Sequence, residues 1–318
     1  MCQNCVELVR EILPNETLTH ALCDEDGHWS IRSIVDNEMN MFTLTTDTKV
    51  TSKIFEMQIL PYLIAACAER NWELIQADHQ NTYPDFSIRT GDGTLIALDI
   101  KSTYRYAMEA WTLKKIKDDY NIENNRMKQI ARSLEINDHL TRELSDEDEN
   151  RIISYLSENG YNRREIEFPE GTSTVLGLEL GEKLNTMTLG AFKGYFRNHD
   201  STKNIMFPYS QYCAHICLCV IYTRNEVMAE QTFFQGDIDL HEIEPVLHHL
   251  EFCIQEKWRI ANNGTGSGNT ANIGAMRHYE LVSQGIGRFE SEEHFNWYWQ
   301  QYSSNNRKNE HTWEGLQP

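Results

Sequence analysis

The chain has 318 residues and a formal net charge of −19 at pH 7. Its length is sufficient to bury a substantial core, in one large domain or two smaller ones. The negative charge weakens non-specific attraction to phosphates and leans against a nucleic-acid partner. It does not exclude one, because basic groups lining a single cleft, with a divalent metal at the acidic site, can still hold DNA.

The sequence indicates an intracellular protein. No run of residues has the apolar length of a transmembrane helix, and Met1–Leu13 is too polar for a signal peptide. We therefore expect a soluble, cytoplasmic protein with no membrane partner, whose eight cysteines are reduced. Cys2 and Cys5 have zinc-ligand spacing, but no second pair follows, which disfavours a structural zinc without deciding whether they bind metal.

Helices and strands are both predicted before residue 77. Asp47 and Thr48 make a typical helix start, and Pro61 is expected to kink the helix that follows. The predicted elements are a helix within residues 1–20 stopped by Pro14, strands Trp29–Val35 and Met39–Leu44, a helix Lys49–Glu69 and a strand Trp72–Gln76.

A hairpin is predicted next, over Tyr83–Thr103. The turn residues Thr90–Thr94 include glycines that tolerate positive φ, and they separate the apolar runs Phe86–Arg89 and Leu95–Ile100. Both runs are rich in β-branched and aromatic residues, so we predict two antiparallel strands.

The hairpin carries a candidate catalytic group. Residues two apart share a strand face, so Asp99 and Lys101 point the same way, and Asp85 meets Asp99 across the hairpin ends. Two carboxylates can hold Mg²⁺, and a nearby lysine stabilises negative charge that develops in a reaction. Pro-Asp followed by Asp-x-Lys is the pattern of the PD-(D/E)xK nucleases. Each half is common by chance, and the motif alone favours a plain surface hairpin with a salt bridge.

The rest of the chain reads as helices, then mixed structure. The glycine- and asparagine-rich loop Asn262–Asn272 is either a flexible linker or a set of groups that pair with base edges. The predicted elements are helices at 107–135 and from Ser145 to Asn159, a helix Met187–Tyr195, strands Lys203–Phe207 and Ala214–Tyr222, a helical pattern at Asp237–Glu256, a strand Trp258–Ala261, and helices His278–Ser283 and Glu292–Tyr302.

Several separated stretches resemble, in the same order, the EcoRV family of type II restriction endonucleases. The resemblance runs from about Leu18 to about Tyr302 and is interrupted mainly by residues 105–183. Its matching stretches are Asp47–Glu56, Gln80–Phe86, Ala97–Tyr104, Thr188–Gly190, Phe196–Asn198, Thr202–Ile205, Gln211–Tyr212, Ala214–His215, Tyr222–Arg224, Lys257–Trp258, Gly266–Thr270 and Asn272–Gly274. Ordered matches of this kind are more specific than the nuclease motif and favour catalysis by the hairpin.

The resemblance implies an α/β fold, with a restriction-endonuclease-like core whose central mixed β-sheet is flanked by helices. That core comprises residues 1–104 and 184–318, and residues 105–183 form an inserted, mainly helical subdomain. We expect the subdomain to be peripheral or to contribute to a dimer contact.

The resemblance also implies roles for individual residues. Asp85 and Asp99 match the metal-binding carboxylates, the Ile100 carbonyl is a possible further ligand, and Lys101 matches the catalytic lysine. Glu56 matches a glutamate that assists metal or water binding, although a lone helix glutamate is otherwise usually solvated. The implied DNA contacts are Lys203 to phosphate, Gln80 and Asn81 in the minor groove, and Gly266, Ser267, Gly268, Asn269 and Thr270 in the major groove.

The implied activity is Mg²⁺-dependent hydrolysis of double-stranded DNA by a homodimer, at GATATC or a related palindrome, with blunt central cleavage. A cognate DNA methyltransferase in the host is the implied indirect partner. The alternatives are another PD-(D/E)xK nuclease, for repair or transposition, or a non-catalytic DNA-binding protein.

Overall fold

A computed structural model describes residues 5–44, 47–77, 79, 82–105, 112–140, 144–162, 183–192, 205–225, 232–234, 238–266 and 272–301. The chain divides into two compact units. The first comprises Met1–Arg105 and Leu178–Pro318, and the second comprises Tyr106–Gly177. Among the described residues, no helix is long and apolar enough to cross a membrane.

The helices and strands are numbered separately along the chain. The helices are α1 (Cys5–Ile12), α2 (Asn15–Leu22), α3 (Thr48–Glu69), α4 (Leu113–Asp119), α5 (Asn124–Ser133), α6 (Asp146–Glu158), α7 (Lys257–Ile260), α8 (Tyr279–Gln284) and α9 (Glu292–Gln301). The strands are β1 (Ser33–Val35), β2 (Met41–Thr43), β3 (Glu73–Gln76), β4 (Phe86–Arg89), β5 (Leu95–Tyr104), β6 (Thr188–Phe192), β7 (Ala214–Arg224), β8 (Thr232–Phe233), β9 (Leu247–Glu256), β10 (Ala261–Thr265) and β11 (Asn272–Ala275).

A five-stranded mixed sheet organises the first unit. Its described strands lie in the order β3-β4-β5-β7-β9. The β5–β7 pair is parallel and the other pairs are antiparallel. In the parallel pair Asp99 lies opposite Cys217, so the predicted catalytic strand β5 occupies the middle of the sheet, beside the almost fully buried strand β7. The expected α/β class with a central mixed sheet is confirmed.

Helix α3 packs against this sheet in the manner its sequence predicts. The Asp47 carboxylate caps it by accepting a hydrogen bond from the Lys49 amide at 2.8 Å, and the helix continues through Pro61 to Glu69. Phe55 packs at its centre against Trp29 and Tyr222. Its buried positions recur at every fourth residue: Thr51, Phe55, Ile59, Leu63 and Cys67.

Two smaller antiparallel sheets also belong to the first unit. One has the order β1-β2-β8 and the other β10-β11-β6. The second of these joins the two flanks of the predicted major-groove loop, because β10 ends and β11 begins on either side of it. The loop is therefore carried by a paired scaffold, whose own strands occupy part of the stretch predicted as loop.

Three local predictions were wrong where pairing over long distances decides the structure. Met187–Tyr195 was predicted as a helix, but Thr188–Phe192 is strand β6, paired with β11. The helical pattern at Asp237–Glu256 is in fact strand β9, after a short 3₁₀ turn at Leu240–Glu242. The predicted strand Trp258–Ala261 overlaps helix α7. These short segments have weak intrinsic preferences, which strand partners far away in sequence override.

One further expectation needs correction, and another lies partly outside the described residues. The helix predicted over 107–135 is two helices, α4 and α5, which Asn121 separates with a φ of 52°. Of the predicted strand Lys203–Phe207, the described residues show only an isolated bridge from Ile205 to Tyr83.

The cysteines are not all reduced. Cys213 is disulfide-bonded. The free thiol of Cys5 lies nearby, with its sulfur 3.6 Å from that of Cys213. Cys2 lies outside the described residues. The described free thiols are Cys5, Cys23, Cys67, Cys217, Cys219 and Cys253.

The second unit has a hydrophobic core of its own. Its described elements are α4, α5 and α6, and the Ser145 hydroxyl caps α6 by accepting a hydrogen bond from the Asp148 amide at 3.2 Å. The buried residues of this core are Leu113, Ile116, Ile122, Met127, Ile130, Ala131, Ile136, Ile152 and Leu156.

The first unit brings together the points where the chain departs to the second unit and returns. Arg105, directly after β5, forms an antiparallel bridge with Leu184, and the Asn185 amide donates to the Tyr104 carbonyl at 2.9 Å. The Arg105 guanidinium donates to the His249 carbonyl at 2.8 Å and pairs with Glu251 at 2.5 Å. The end of the catalytic strand is thereby fixed within the first unit.

Candidate active site

The carboxylates of Asp85 and Asp99 each accept a hydrogen bond from a backbone amide of the opposite strand end at the end of the hairpin. The register pairs Phe86 with Leu98, so the residues just beyond each partner meet. The Asp85 amide donates to Oδ1 of Asp99 at 3.2 Å, and the Ile100 amide donates to Oδ2 of Asp85 at 2.8 Å. The two carboxylates are therefore oriented by backbone donors and not only by side-chain packing.

Lys101 lies between the two carboxylates. Its Nζ is 3.4 Å from Oδ2 of Asp99 and 3.7 Å from Oδ2 of Asp85. The Asp99 side chain is 2% exposed, whereas those of Lys101 and Asp85 are 18% and 21% exposed. Asp99 therefore forms the buried back of the site, and Lys101 and Asp85 form the side that an incoming molecule can reach.

The charges at this site perturb one another. Burial raises the pKa of Asp85 to about 7; the charge of Lys101 opposes this shift, while those of Asp99 and Glu56 add to it. Burial lowers the pKa of Lys101, but Asp85 and Asp99 outweigh it and hold that pKa above its ordinary value. Lys101 thus stays an ammonium at neutral pH, and Asp85 changes charge near neutrality in the metal-free site.

Glu56 approaches the site from α3. One turn earlier on the same helix face, the Ser52 hydroxyl hydrogen-bonds with the Ser102 hydroxyl on β5. Glu56 itself forms an ion pair with Lys53 at 2.6 Å, and its charge is one of the causes that raise the pKa of Asp85. The structure therefore places Glu56 near Asp85, and its role as a metal or water ligand stays a prediction.

The donor set fits a magnesium ion. In the described part of the chain no three His, Cys, Asp or Glu side chains are grouped closely enough to share a metal. Two neighbouring carboxylates suffice for Mg²⁺, however, because this ion prefers oxygen ligands and usually keeps several waters. Asp85 and Asp99 are the residues that would hold it, with the carbonyl of Ile100, the residue after Asp99 on β5, as the expected further oxygen.

A second lysine reaches the site, and the sequence analysis assigned it no role. Lys257, the first residue of α7, is 1% exposed, and its Nζ lies 3.4 Å from Oδ2 of Asp99. It also donates to the Tyr83 hydroxyl at 2.6 Å, and that hydroxyl shares a hydrogen bond of 2.7 Å with Nδ1 of His215. Burial and the charge of Lys257 hold the pKa of His215 well below its usual value, so the imidazole is neutral.

The DNA-contacting residues are only partly described. Gly266 is described, and a Cβ added there would lie 2.4 Å from Cγ2 of Thr188 and 3.4 Å from Cα of Gly274. Glycine at this position therefore permits β10, β11 and β6 to approach closely. The remaining predicted contacts lie outside the described residues: Gln80, Asn81, Lys203, Ser267, Gly268, Asn269 and Thr270.

Comparison with known proteins agrees with this geometry. A family model described as "Restriction endonuclease EcoRV" matches residues 25–133 and 174–317, which include the hairpin, α3 and the flanks of the Gly266 loop. The chain is also 27% identical over 288 residues to "Type II restriction enzyme EcoRV" from Escherichia coli, covering 90% of this chain and 87% of that protein. With Asp85, Asp99 and Lys101 assembled as the resemblance implies, the chain belongs to the EcoRV family of type II restriction endonucleases.

Proposed function

We propose that this type II site-specific deoxyribonuclease uses Mg²⁺ to cut double-stranded DNA at the centre of GATATC or a related palindrome, leaving blunt ends. The observation that carries the proposal is the grouping of Asp85, Asp99 and Lys101, with Lys101 on the accessible side of two oriented carboxylates. Family membership favours this function over a repair or transposition nuclease and over a non-catalytic DNA-binding protein.

The reaction is the hydrolysis of one phosphodiester in each strand. A water oxygen bonds to phosphorus in line with the 3′ oxygen, the bond from phosphorus to that oxygen breaks, and 5′-phosphate and 3′-hydroxyl ends result. Lys101 orients the water and stabilises the negative charge that develops on the phosphoryl oxygens. Asp85 and Asp99 are positioned to hold Mg²⁺, which when bound supplies Lewis-acid polarisation and lowers the pKa of water.

The proposed specificity depends on the residues that match DNA-contacting positions of the family. Asn269 is suited to a bidentate bond with adenine, backbone groups of Gly266 and Gly268 can pair with guanine, and Thr270 offers a methyl to thymine. Gln80 and Asn81 follow the minor groove and Lys203 contacts phosphate. The central step is read through the ease with which it bends. The close approach that Gly266 permits supports a defined scaffold for this reading.

We further propose that the active form is a homodimer, because a palindrome presents two equivalent half-sites related by a two-fold axis. The small sheet β1-β2-β8 supports a second copy of the chain as the partner. Its cross-strand neighbours Ile34 and Phe42 are 54% and 39% exposed on one face, and Phe234, just beyond β8, is 63% exposed. Replacing Ile34 and Phe42 by glutamate should give a monomer in light scattering, while Leu240→Glu, at an exposed position outside this sheet, should not.

The cellular setting follows from this activity. An enzyme that cuts at a short palindrome acts on DNA in the cytoplasm, and its host needs a cognate methyltransferase to protect the same sites. We propose that the second unit, Tyr106–Gly177, is a peripheral subdomain or contributes to a dimer contact, since its helix α6 begins with an acidic run, Asp146–Glu149, that is unsuited to the phosphate backbone.

Digestion of a plasmid of known sequence tests the proposal. With Mg²⁺ we expect discrete fragments whose sequenced ends lie at the centre of GATATC or a relative with the same outer base pairs, and no cleavage without a divalent cation. Staggered ends, or a site lacking the outer GA and TC, would contradict the proposed specificity. A smear instead of fragments would point to a non-specific nuclease.

A further inference from the structure

Asp99 has two lysines on a single carboxylate oxygen. Oδ2 of Asp99 lies 3.4 Å from Nζ of Lys101 and 3.4 Å from Nζ of Lys257. The two ammonium groups come from distant parts of the chain, one on the catalytic strand and the other directly after β9. Lys101 already contacts Asp99 and is shared with Asp85, so the role of the second, buried lysine requires an explanation.

The two lysines differ in their freedom to move. Lys101 is on the accessible side of the site, whereas Lys257 is 1% exposed and has its ammonium 3.8 Å from the centre of the Tyr83 ring. A buried ammonium is costly unless it is paired and hydrogen-bonded. Within the described residues, Asp99 is the carboxylate paired with Lys257, and the Tyr83 hydroxyl accepts a further hydrogen bond from it. These contacts and its burial hold Lys257 in place.

We infer that Lys257 is a positioning residue of the nuclease: it holds Asp99 from the buried side, so that Lys101 is free to act on the phosphate and water. The inference rests on the proposed Mg²⁺-dependent cleavage. Without Lys257, Lys101 is the remaining ammonium beside Asp99 and is retained there by the stronger attraction of an otherwise unpaired buried carboxylate. Lys257 thus keeps Lys101 available for catalysis.

The same contact affects how strongly the site attracts a cation. The positive charge of Lys257 repels a divalent ion held by Asp99, and removing it makes the site more negative. The inference therefore predicts opposite changes in two measured quantities. Loss of Lys257 strengthens metal binding and slows cleavage, whereas a merely structural defect weakens both.

The test compares full-length Lys257→Met and Lys257→Gln with wild type and with Lys114→Met, a control at an exposed lysine of the second unit. Glutamine keeps a hydrogen-bonding group near Tyr83 and Asp99 but removes the charge. Mn²⁺ affinity is measured by electron paramagnetic resonance without DNA, and Mg²⁺-induced stabilisation by thermal unfolding. Single-turnover cleavage is measured at saturating Mg²⁺.

We expect the Lys257 variants to bind Mn²⁺ about tenfold more tightly, to be stabilised more by Mg²⁺ than wild type, and to cleave at least about tenfold more slowly. Weaker Mn²⁺ binding with slower cleavage, or no change in either quantity, would overturn the inference. Wild type that neither binds Mn²⁺ nor cleaves with Mg²⁺ would instead overturn the proposed function.

If neither single variant folds, the double variant Asp99→Asn, Lys257→Gln decides the matter. It removes both members of the buried pair, so we expect folding to be recovered if Asp99 is the partner that Lys257 serves. A double variant that also fails to fold would overturn the inference.

Discussion

The two units of this chain bury different kinds of side chain. The core of the second unit, over its described residues, consists of aliphatic residues and methionine. Every buried polar or charged residue in the described part of the chain belongs to the first unit. Those residues are Thr51, Ser87, Thr90, Asp99, Thr103, Arg105, His215, Gln255 and Lys257.

This difference in buried side chains separates residues that stabilise the fold from residues that take part in a reaction. Burying charged groups such as Asp99 and Lys257 costs free energy, and apolar replacements of similar volume often give equal or greater stability. The second unit shows that this chain can build a core without buried charge. The charges buried in the first unit are therefore best understood through the chemistry they position.

Among the changes that test this difference between the two units, replacing Asp99 should have the largest effect on cleavage. Asp99→Asn keeps the shape of the side chain but removes the charge of a proposed metal ligand, a loss expected to cost several kcal/mol of transition-state stabilisation, or about a thousandfold or more in rate. Mg²⁺-dependent plasmid cleavage measures the effect, and circular dichroism checks the fold. The matched change Asp118→Asn, at an exposed carboxylate of the second unit, should leave cleavage unchanged. Cleavage by Asp99→Asn within tenfold of wild type would refute the assigned role.

Gly266→Ala should have a smaller but clear effect on the recognition side of the first unit. The new methyl would overlap Cγ2 of Thr188, and relieving such overpacking costs about 1–3 kcal/mol. We expect specific DNA binding to weaken by about tenfold to a hundredfold, measured by gel shift with Ca²⁺ in place of Mg²⁺. Gly91→Ala is the control, because no atom lies within 4 Å of its added Cβ. Equal affinities for the two variants would contradict the role of close packing.

Acidification should weaken metal binding by about tenfold between pH 8 and pH 6. The pKa of Asp85 in the metal-free protein is raised to about 7, chiefly by burial, so protons compete with the cation over this range. A carboxyl whose folded-state pKa exceeds its unfolded value also makes the metal-free protein less stable as pH rises from about 4 to about 7. Mn²⁺ titrations at constant ionic strength check the first effect, and urea unfolding checks the second. An Mn²⁺ affinity that does not change between pH 8 and pH 6 would contradict the predicted competition between protons and the cation.

Removing most of the second unit should have the smallest effect on cleavage. Deletion of residues 110–180 leaves the Arg105–Leu184 bridge to join the remaining ends. We expect the same fragments and a cleavage rate within about fivefold of wild type, because exposed insertions whose ends are held together are tolerated well. Loss of folding or of cleavage would show that the segment is integral to the enzyme.

Local chemistry made much of the site predictable. Turn glycines and alternating strands identified the β4–β5 hairpin, and a capping aspartate and a four-residue repeat identified α3. The spacing of Asp85, Asp99 and Lys101 then predicted a shared face, and the structure groups all three. These features depend on residues close together in sequence.

What escaped prediction depends on contacts between distant segments. Strand β6 resembles a helix until its partner β11 is known, and β9 has a helical pattern that pairing with β7 overrides. Lys257 lies between Glu256 and Trp258 and looks like an ordinary surface lysine. It is buried because β9 delivers it beside Asp99. Lys257 and Trp258 are among the residues that match the family. A sequence match does not show, however, that Lys257 contacts Asp99.

The Arg105–Leu184 bridge has a consequence for how such an enzyme can change over evolutionary time. Once the ends of a segment are fixed, the entropy lost in closing it grows only with the logarithm of its length, by about 0.6 kcal/mol for each doubling. A long inserted segment at this point therefore costs only slightly more conformational entropy than a short one. Because the bridge fixes both ends of the segment, a folded module can be gained or lost at this point during evolution. The five-stranded sheet need not change when this happens.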